Sequence, residues 1–554
     1  MAKERLPVSL KQFFRKRVRT AAALAAVLAL SVSVPVLAQD APVQGGTLIY
    51  LEQQAHTNLY PPSGGFYPNG GVLNQITDKL TYQNPETLEI EPWIAESWEV
   101  NADATEYTFK LRSGVTFSDG TPVDAATVAL NYDIFGLGKP NLKYPVSEVI
   151  NNYDHSEVID EHTVKFVFKR PSPGFLQGTA VIGSGLVSTA TLALPFDELG
   201  DATKIIGSGP FVVASETLGK ELKLTAREDY NWGPAKFEHQ GRAYLDGITY
   251  IITPEDSVRI GALLAGQADV IRQIQAYDEP QVTAAAFTLL APNTRGVNNS
   301  IAFRPDNPLV ADIKVRQALS LATNTQEIVD TLFSENYPRA TSVISSKAAG
   351  YVDYSDKLVF DQEKAKALLA EAGWTPGPDG ILAKDGQKLD LTVYVSLPQP
   401  QNEGVLQLIA QQWAQVGVKL NVLPGDAGTR TLDQLDPLKT PVTVAMVGRA
   451  DPDVIKSGFH PKNRDWLLQK GGSSQNVQSF VDDDLNTLLE AIASEPDHDK
   501  RLAISGEIQA RVLDQYYQIP IFEEPQAFAA APYVHGLEFE AVGRPSFYNV
   551  WLSR

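Results

Sequence analysis

Residues 92–133, PWIAESWEVNADATEYTFKLRSGVTFSDGTPVDAATVALNYD, constrain the fold more than any other stretch of the chain. Tyr107, Phe109 and Leu111 alternate with Thr108, Lys110 and Arg112, the period-two pattern of a strand with one buried face. Asn101-Ala102-Asp103 before it reads as a hairpin turn, and Asp119-Gly120 after it as a second turn. Asp124 is positioned to cap a helix over 125–132, because its carboxylate can accept a backbone N–H of the first turn. Trp93 and Trp98 flank the entry.

The rest of the chain carries the punctuation of a mixed α/β protein without repeats. A short strand opens at 45–50, GGTLIY. A loop dense in Gly, Pro and aromatics follows at 60–71, then a helix over 72–80. Strands are expected at 164–168, 211–213 and 222–226. Asp361 and Gly373 bracket a helix as N-cap and terminator. Over 403–416, Val405, Leu408, Ile409 and Trp413 share one stripe, and Gly417 closes that helix. Strands at 391–395 and 419–422 on either side make the passage βαβ-like. Ile504, Ile508 and Val512 line a further helical face. These apolar positions are read as core.

The N-terminus carries an address. Seven basic residues precede an apolar run at 20–30, and Val36-Leu37-Ala38 offers small residues before Gln39-Asp40, as a signal-peptidase site requires. The run is too short for a membrane span and is broken by Ser31, Ser33 and Pro35. No clear twin-arginine motif is present, so Sec export is expected. Without any cysteine the chain has no lipidated N-terminal Cys, which points to a Gram-negative periplasm rather than a lipoprotein.

Removing residues 1–38 takes away seven cations and one anion, moving the formal charge from −19 to about −25. A surface that acidic argues against nucleic acid and anionic membranes. Zero cysteine excludes disulfides, thiolate nucleophiles and zinc fingers. The 516 residues that remain exceed what one core usually serves, so at least two lobes are expected.

The order AESW…YTFKLR.GV.F.DG.P..A..V at 95–128 resembles the signature segment of the family 5 bacterial extracellular solute-binding proteins, the peptide, nickel and opine receptors of ABC importers. Gly207-Ser208-Gly209-Pro210-Phe211 is similar to that family's Gly-x-Gly-Pro-Phe/Tyr turn, and Val315-Arg316-Gln317-Ala318-Leu319 to its helix start. The resemblance implies a two-lobe periplasmic-binding-protein fold of type II with an extra subdomain in the first lobe. Mapped onto this chain, residues 40–78, 206–297 and 523–554 form the first lobe, 79–205 the inserted subdomain and 298–522 the second lobe. Crossings between lobes fall near 294–303 and 519–525. It further implies a monomer that captures a peptide or similar small zwitterionic solute by hinge closure and delivers it to inner-membrane permease subunits. A receptor for a nickel, opine or metallophore chelate is the alternative.

Candidate ligand contacts follow from the same mapping. Gly448-Arg449-Ala450-Asp451-Pro452-Asp453 follows the apolar strand 442–447, where peptide-binding members carry an acid that pairs with the ligand's ammonium. Asp451 takes that role by position, with Asp453 beside it; the same residues can equally form a simple turn. Arg449 either clamps a carboxylate or neutralises these aspartates. Phe66, Tyr67 and Asn69 sit on the early loop, where the family presents aromatic and polar contacts. Asn298 and Asn299 lie in the first crossing, as ligand amides or backbone partners, and Glu523 and Glu524 in the second. His460 and Trp466 follow the aspartate loop within reach of the cleft.

No catalytic motif is present: no Gly-x-Ser-x-Gly elbow, no His-Glu-x-x-His, no Walker loop. The seven histidines show no metal-ligand spacing. Neither enzyme activity, nor a cofactor, nor a resident metal is expected.

Overall fold

A computed structural model of the protein describes residues 41–395, 401–424, 427–463, 467 and 480–554. The strand Thr47–Glu52 shows how its main sheet is built: Leu48 and Tyr50 enter one core, while Leu51 enters another on the opposite face. It pairs in parallel with Gly247–Ile252 and Val270–Arg272. The sheet has seven strands in the order Thr288–Leu290, Phe528–Ala530, Val270–Arg272, Thr47–Glu52, Gly247–Ile252, Glu221–Ala226, Phe211–Thr217. Cores on both faces suit its parallel centre.

The region expected to carry a strand, turn and capped helix does so. Glu106–Leu111 buries Tyr107, Phe109 and Leu111, and Asp124 accepts the Thr127 N–H at 2.8 Å to start the helix Ala125–Leu137. The four-stranded antiparallel sheet also includes Ala95–Val100, Thr163–Phe168 and Tyr153–Asp160. Ala95–Val100 was not foreseen, because a register shift between Ala95 and Ser97 breaks its alternation.

The expected loop at 60–71 and helix at 72–80 need correcting. Pro61–Gly65 winds a single 3-10 turn, and the helix runs Tyr67–Ile76. Pro68 sits in its first turn, where a missing N–H costs nothing, so the Pro/Gly density marks a helix start and not a long loop. Gly207 and Gly209 pack against its other end: a Cβ at Gly207 would lie 1.9 Å from the Ile76 carbonyl oxygen, and one at Gly209 2.5 Å from the Ile76 carbonyl carbon.

A second sheet of three antiparallel strands, Val442–Gly448, Gly296–Phe303 and Gln518–Phe522, joins the two expected crossing segments edge to edge. All eight residues of its central strand are buried; Ile301 and Phe303 face one core, Val297 and Ala302 another. Gly296 has φ +131°, and a Cβ there would stand 2.0 Å from the Val447 carbonyl oxygen. The βαβ passage is present as Asp390–Tyr394, Asn402–Ala414 and Lys419–Leu423, its two strands parallel. Asp361 caps Gln362–Glu371 as expected, and Asp312 caps Ile313–Leu321. Among the described residues no helix is long and apolar enough to cross a membrane.

Candidate ligand-binding site

A cavity of about 470 Å³ is walled by the start of the helix Tyr67–Ile76, the end of the strand Val442–Gly448, and residues 524–548 near the C-terminus. That volume lies within the roughly 300–1,000 Å³ typical of small-molecule sites. Tyr67 forms part of the wall, its hydroxyl donating to the Gly543 carbonyl at 2.7 Å. Arg272 lies 4.2 Å and Arg544 5.5 Å from its ring centre. Both cations have carboxylate partners: Arg272 reaches Glu52 at 2.6 Å and Arg544 reaches Glu540 at 2.7 Å.

Arg449 also has a carboxylate partner but, among the described residues, leaves two nitrogens unpaired where Arg544 leaves only Nε. Its backbone N–H donates to the Arg295 carbonyl at 2.8 Å, which fixes its place at the end of the strand Val442–Gly448. One Nη2 nitrogen pairs with Asp453. Its Nε and Nη1 are buried and find no partner among the described residues, yet the side chain lines the cavity. Buried guanidinium N–H groups left unpaired are costly, and an anionic oxygen such as a carboxylate's is a strong acceptor for either of them.

Glu524 faces the same cavity and is 5% exposed. Asn299 donates its Nδ2 to Glu524 Oε2 at 2.5 Å. Burial pushes the Glu524 carboxyl up to about 7, with Asn299 and Arg272 opposing only part of that. The site therefore sets a buried acid, its carboxyl pushed up to about 7, in the same cavity as an arginine with donors that find no partner among the described residues.

The remaining sequence candidates divide sharply. Phe66 lines the cavity with Tyr67. Asn69 does not: its Oδ1 accepts the Thr57 N–H at 2.7 Å and its Nδ2 donates to the Ser63 carbonyl at 3.1 Å, so it staples the preceding turn. Asn298 donates to the Ser342 carbonyl at 3.0 Å and lies off the cavity wall. Asn299 acts through Glu524. Trp466 lies outside the described residues.

Asp451 lies off the cavity wall too, in a buried ion pair. Arg501 grips it with Nη1 at 3.0 Å and Nη2 at 2.5 Å, and Asp451 Oδ1 also accepts the Asp453 N–H at 2.9 Å. Burial alone would raise Asp451; the Arg501 guanidinium outweighs it and holds the carboxyl below its usual range, while burial and the charge of Asp451 hold Asp453 above it. The acid expected to meet a ligand ammonium is thus already matched by a residue fifty positions later, which no local pattern announces.

His460 is likewise engaged. The Lys462 N–H donates to Nδ1 at 3.1 Å, so Nε2 carries the proton and donates to Glu490 Oε1 at 2.7 Å. Burial, with Lys456 nearby, lowers the ring to about 4 and keeps it neutral. Arg170 closes the group by reaching Glu490 at 2.7 Å. Among the described residues no cluster of three or more His, Asp and Glu is placed to hold a metal ion.

A seven-stranded sheet and a three-stranded sheet in a mixed α/β chain, with a cavity lined from both, make up a periplasmic-binding-protein fold of type II. The same fold is seen in the oligopeptide-binding protein AppA of Bacillus subtilis in complex with a nonapeptide (TM-score 0.76, 21% identity, 93% of this chain and 100% of that one). It is seen again in NikA of Brucella suis in complex with Fe(III)-EDTA (TM-score 0.75, 22% identity, 92% and 100%). The model for the middle region of the bacterial extracellular solute-binding proteins, family 5, matches residues 89–454. The chain belongs to that family, whose members are the binding components of bacterial ABC importers. It is 26% identical over 554 residues to the dipeptide-binding protein of Escherichia coli K12, covering 95% of this chain and 98% of that protein.

Proposed function

We propose that the protein captures a peptide or similar small zwitterionic solute in this cavity and hands it to an ABC permease. The observation that carries the reading is Arg449, whose buried Nε and Nη1 line the cavity without a partner. A ligand carboxylate can accept from one of these donors, and Glu524 is the acid available to the ammonium in place of Asp451. Two lobes divided at the paired segments Gly296–Phe303 and Gln518–Phe522 would supply these groups from different sides, so that ligand favours the closed form. Export to the periplasm and a monomeric state belong to the same reading, as does binding without chemical change of the solute.

Similarity to a dipeptide-binding protein and to a peptide-bound structure supports the peptide class. A carboxylate-bearing metal chelate is the second reading, supported by the likeness to a protein in complex with Fe(III)-EDTA. Mass spectrometry of solute retained on the purified protein separates them. Calorimetry then tests the carboxylate clamp: amidating a bound peptide's C-terminus is expected to weaken it at least tenfold, and Arg449→Gln to abolish that difference. Equal affinity for the free and amidated peptides would sink the assignment.

A further inference from the structure

One side of the cavity is built from aromatic rings. Tyr82 stands 6.4 Å from Trp93 and 5.4 Å from Phe237, both edge-on. Phe237 stacks on Tyr548 at 6.3 Å, and Tyr548 meets Tyr230 edge-on at 5.3 Å. All five line the cavity, and they come from separate segments of the chain. Several polar tips are already satisfied by the protein: Trp93 Nε1 donates to the Trp232 carbonyl at 3.0 Å, Tyr548 to the Gly241 carbonyl at 2.8 Å, and Tyr230 to Asp78 at 3.1 Å. What this wall offers a solute is carbon surface.

The cationic positions over the rings are also taken. Lys79 Nζ lies 5.2 Å from the Trp93 ring centre and Lys236 Nζ 5.2 Å from that of Tyr82. Charges of both signs line the cavity nearby, buried Lys79 with Glu538 and Glu540, so neither a cation nor an anion is singled out. The charged side has its own contact row, from Arg272 across the Tyr67 ring to Arg544 and on to Glu540.

We infer that the ring-lined side is a side-chain subsite for a neutral aromatic or large apolar group of the solute. The inference rests on the zwitterion reading and narrows it to solutes that carry both a charged backbone end and such a group.

The test uses the full protein freed of retained solute, titrated calorimetrically with Ala-Ala, Ala-Leu, Ala-Phe, Phe-Ala and Ala-Lys. One of the two Phe peptides is expected to bind about tenfold or more tightly than Ala-Ala, and Ala-Lys no more tightly than Ala-Ala. Phe237→Ala should reduce the Phe preference to less than about threefold; Tyr82→Leu, on a half-buried ring, gives the same readout should the first variant not fold. Peptides bound alike whatever their side chain overturn the subsite and leave the carboxylate clamp standing. Binding of none of the five overturns the zwitterion reading and the subsite with it.

Discussion

Replacing Glu524 with glutamine removes a charge that the ligand-free protein holds in an unfavourable place. Burial raises this carboxyl from an ordinary 4.5 to about 7. The folded protein thus binds the proton more tightly than the unfolded chain. The resulting stability is fully present below about pH 4.5 and is lost as the pH rises through about 7. Holding Glu524 ionised above that point costs on the order of 3 kcal/mol. Glutamine carries no such cost, and its carbonyl can still accept from Asn299 Nδ2. The variant should therefore exceed the parent only slightly at pH 5 and, at pH 8, by on the order of a few degrees in Tm. Thermal unfolding of solute-free protein from pH 5 to 8.5 checks this, and the difference between variant and parent cancels the other titrating groups. Binding should move the opposite way: a zwitterion whose ammonium meets Glu524 ionises it, so calorimetry at pH 6 in buffers of different ionisation heat should register release of about one proton. A stability difference that stays flat, or that widens toward acid, refutes a buried neutral Glu524.

Two structural variants test the frame that holds the site. Gly296→Ala forces a side chain into a left-handed backbone and against the Val447 carbonyl, and should cost roughly 3 kcal/mol or more, read by denaturant unfolding; a loss under 1 kcal/mol would refute the close approach. Arg501→Met leaves Asp451 buried without its cation and should destabilise by about 3–5 kcal/mol at neutral pH. Arg501 holds Asp451 low, so its contribution is present above about pH 4 and is lost as the pH falls toward about 2; the deficit should shrink between pH 4 and 2, and a deficit independent of pH would contradict the ion pair.

Local features were legible and distant pairings were not. Asp124 and Asp361 announce their helices because a cap acts on N–H groups three residues away. The strand Glu106–Leu111 announces itself by alternation. The early loop misled because Pro and Gly mark helix starts as readily as turns. The order and family resemblance carried the fold, yet the site depends on partners that spacing cannot reveal. Asp451 looked available until Arg501 was seen beside it. Arg449 was read as either clamp or neutraliser; one of its nitrogens neutralises Asp453 and two find no partner among the described residues. The ring-lined wall could not be foreseen as a unit, since Tyr82, Phe237 and Tyr548 lie on segments far apart in the chain.

The position of Phe528–Ala530 has a consequence for the order in which the molecule can be made. It is inserted between Thr288–Leu290 and Val270–Arg272, inside a sheet whose other strands were synthesised long before it. Gln518–Phe522 likewise completes the sheet around Gly296–Phe303. Neither sheet can finish assembling until the ribosome has delivered almost the whole polypeptide. In a family of extracellular proteins, such late closure is compatible with a chain that is exported before it has finished folding.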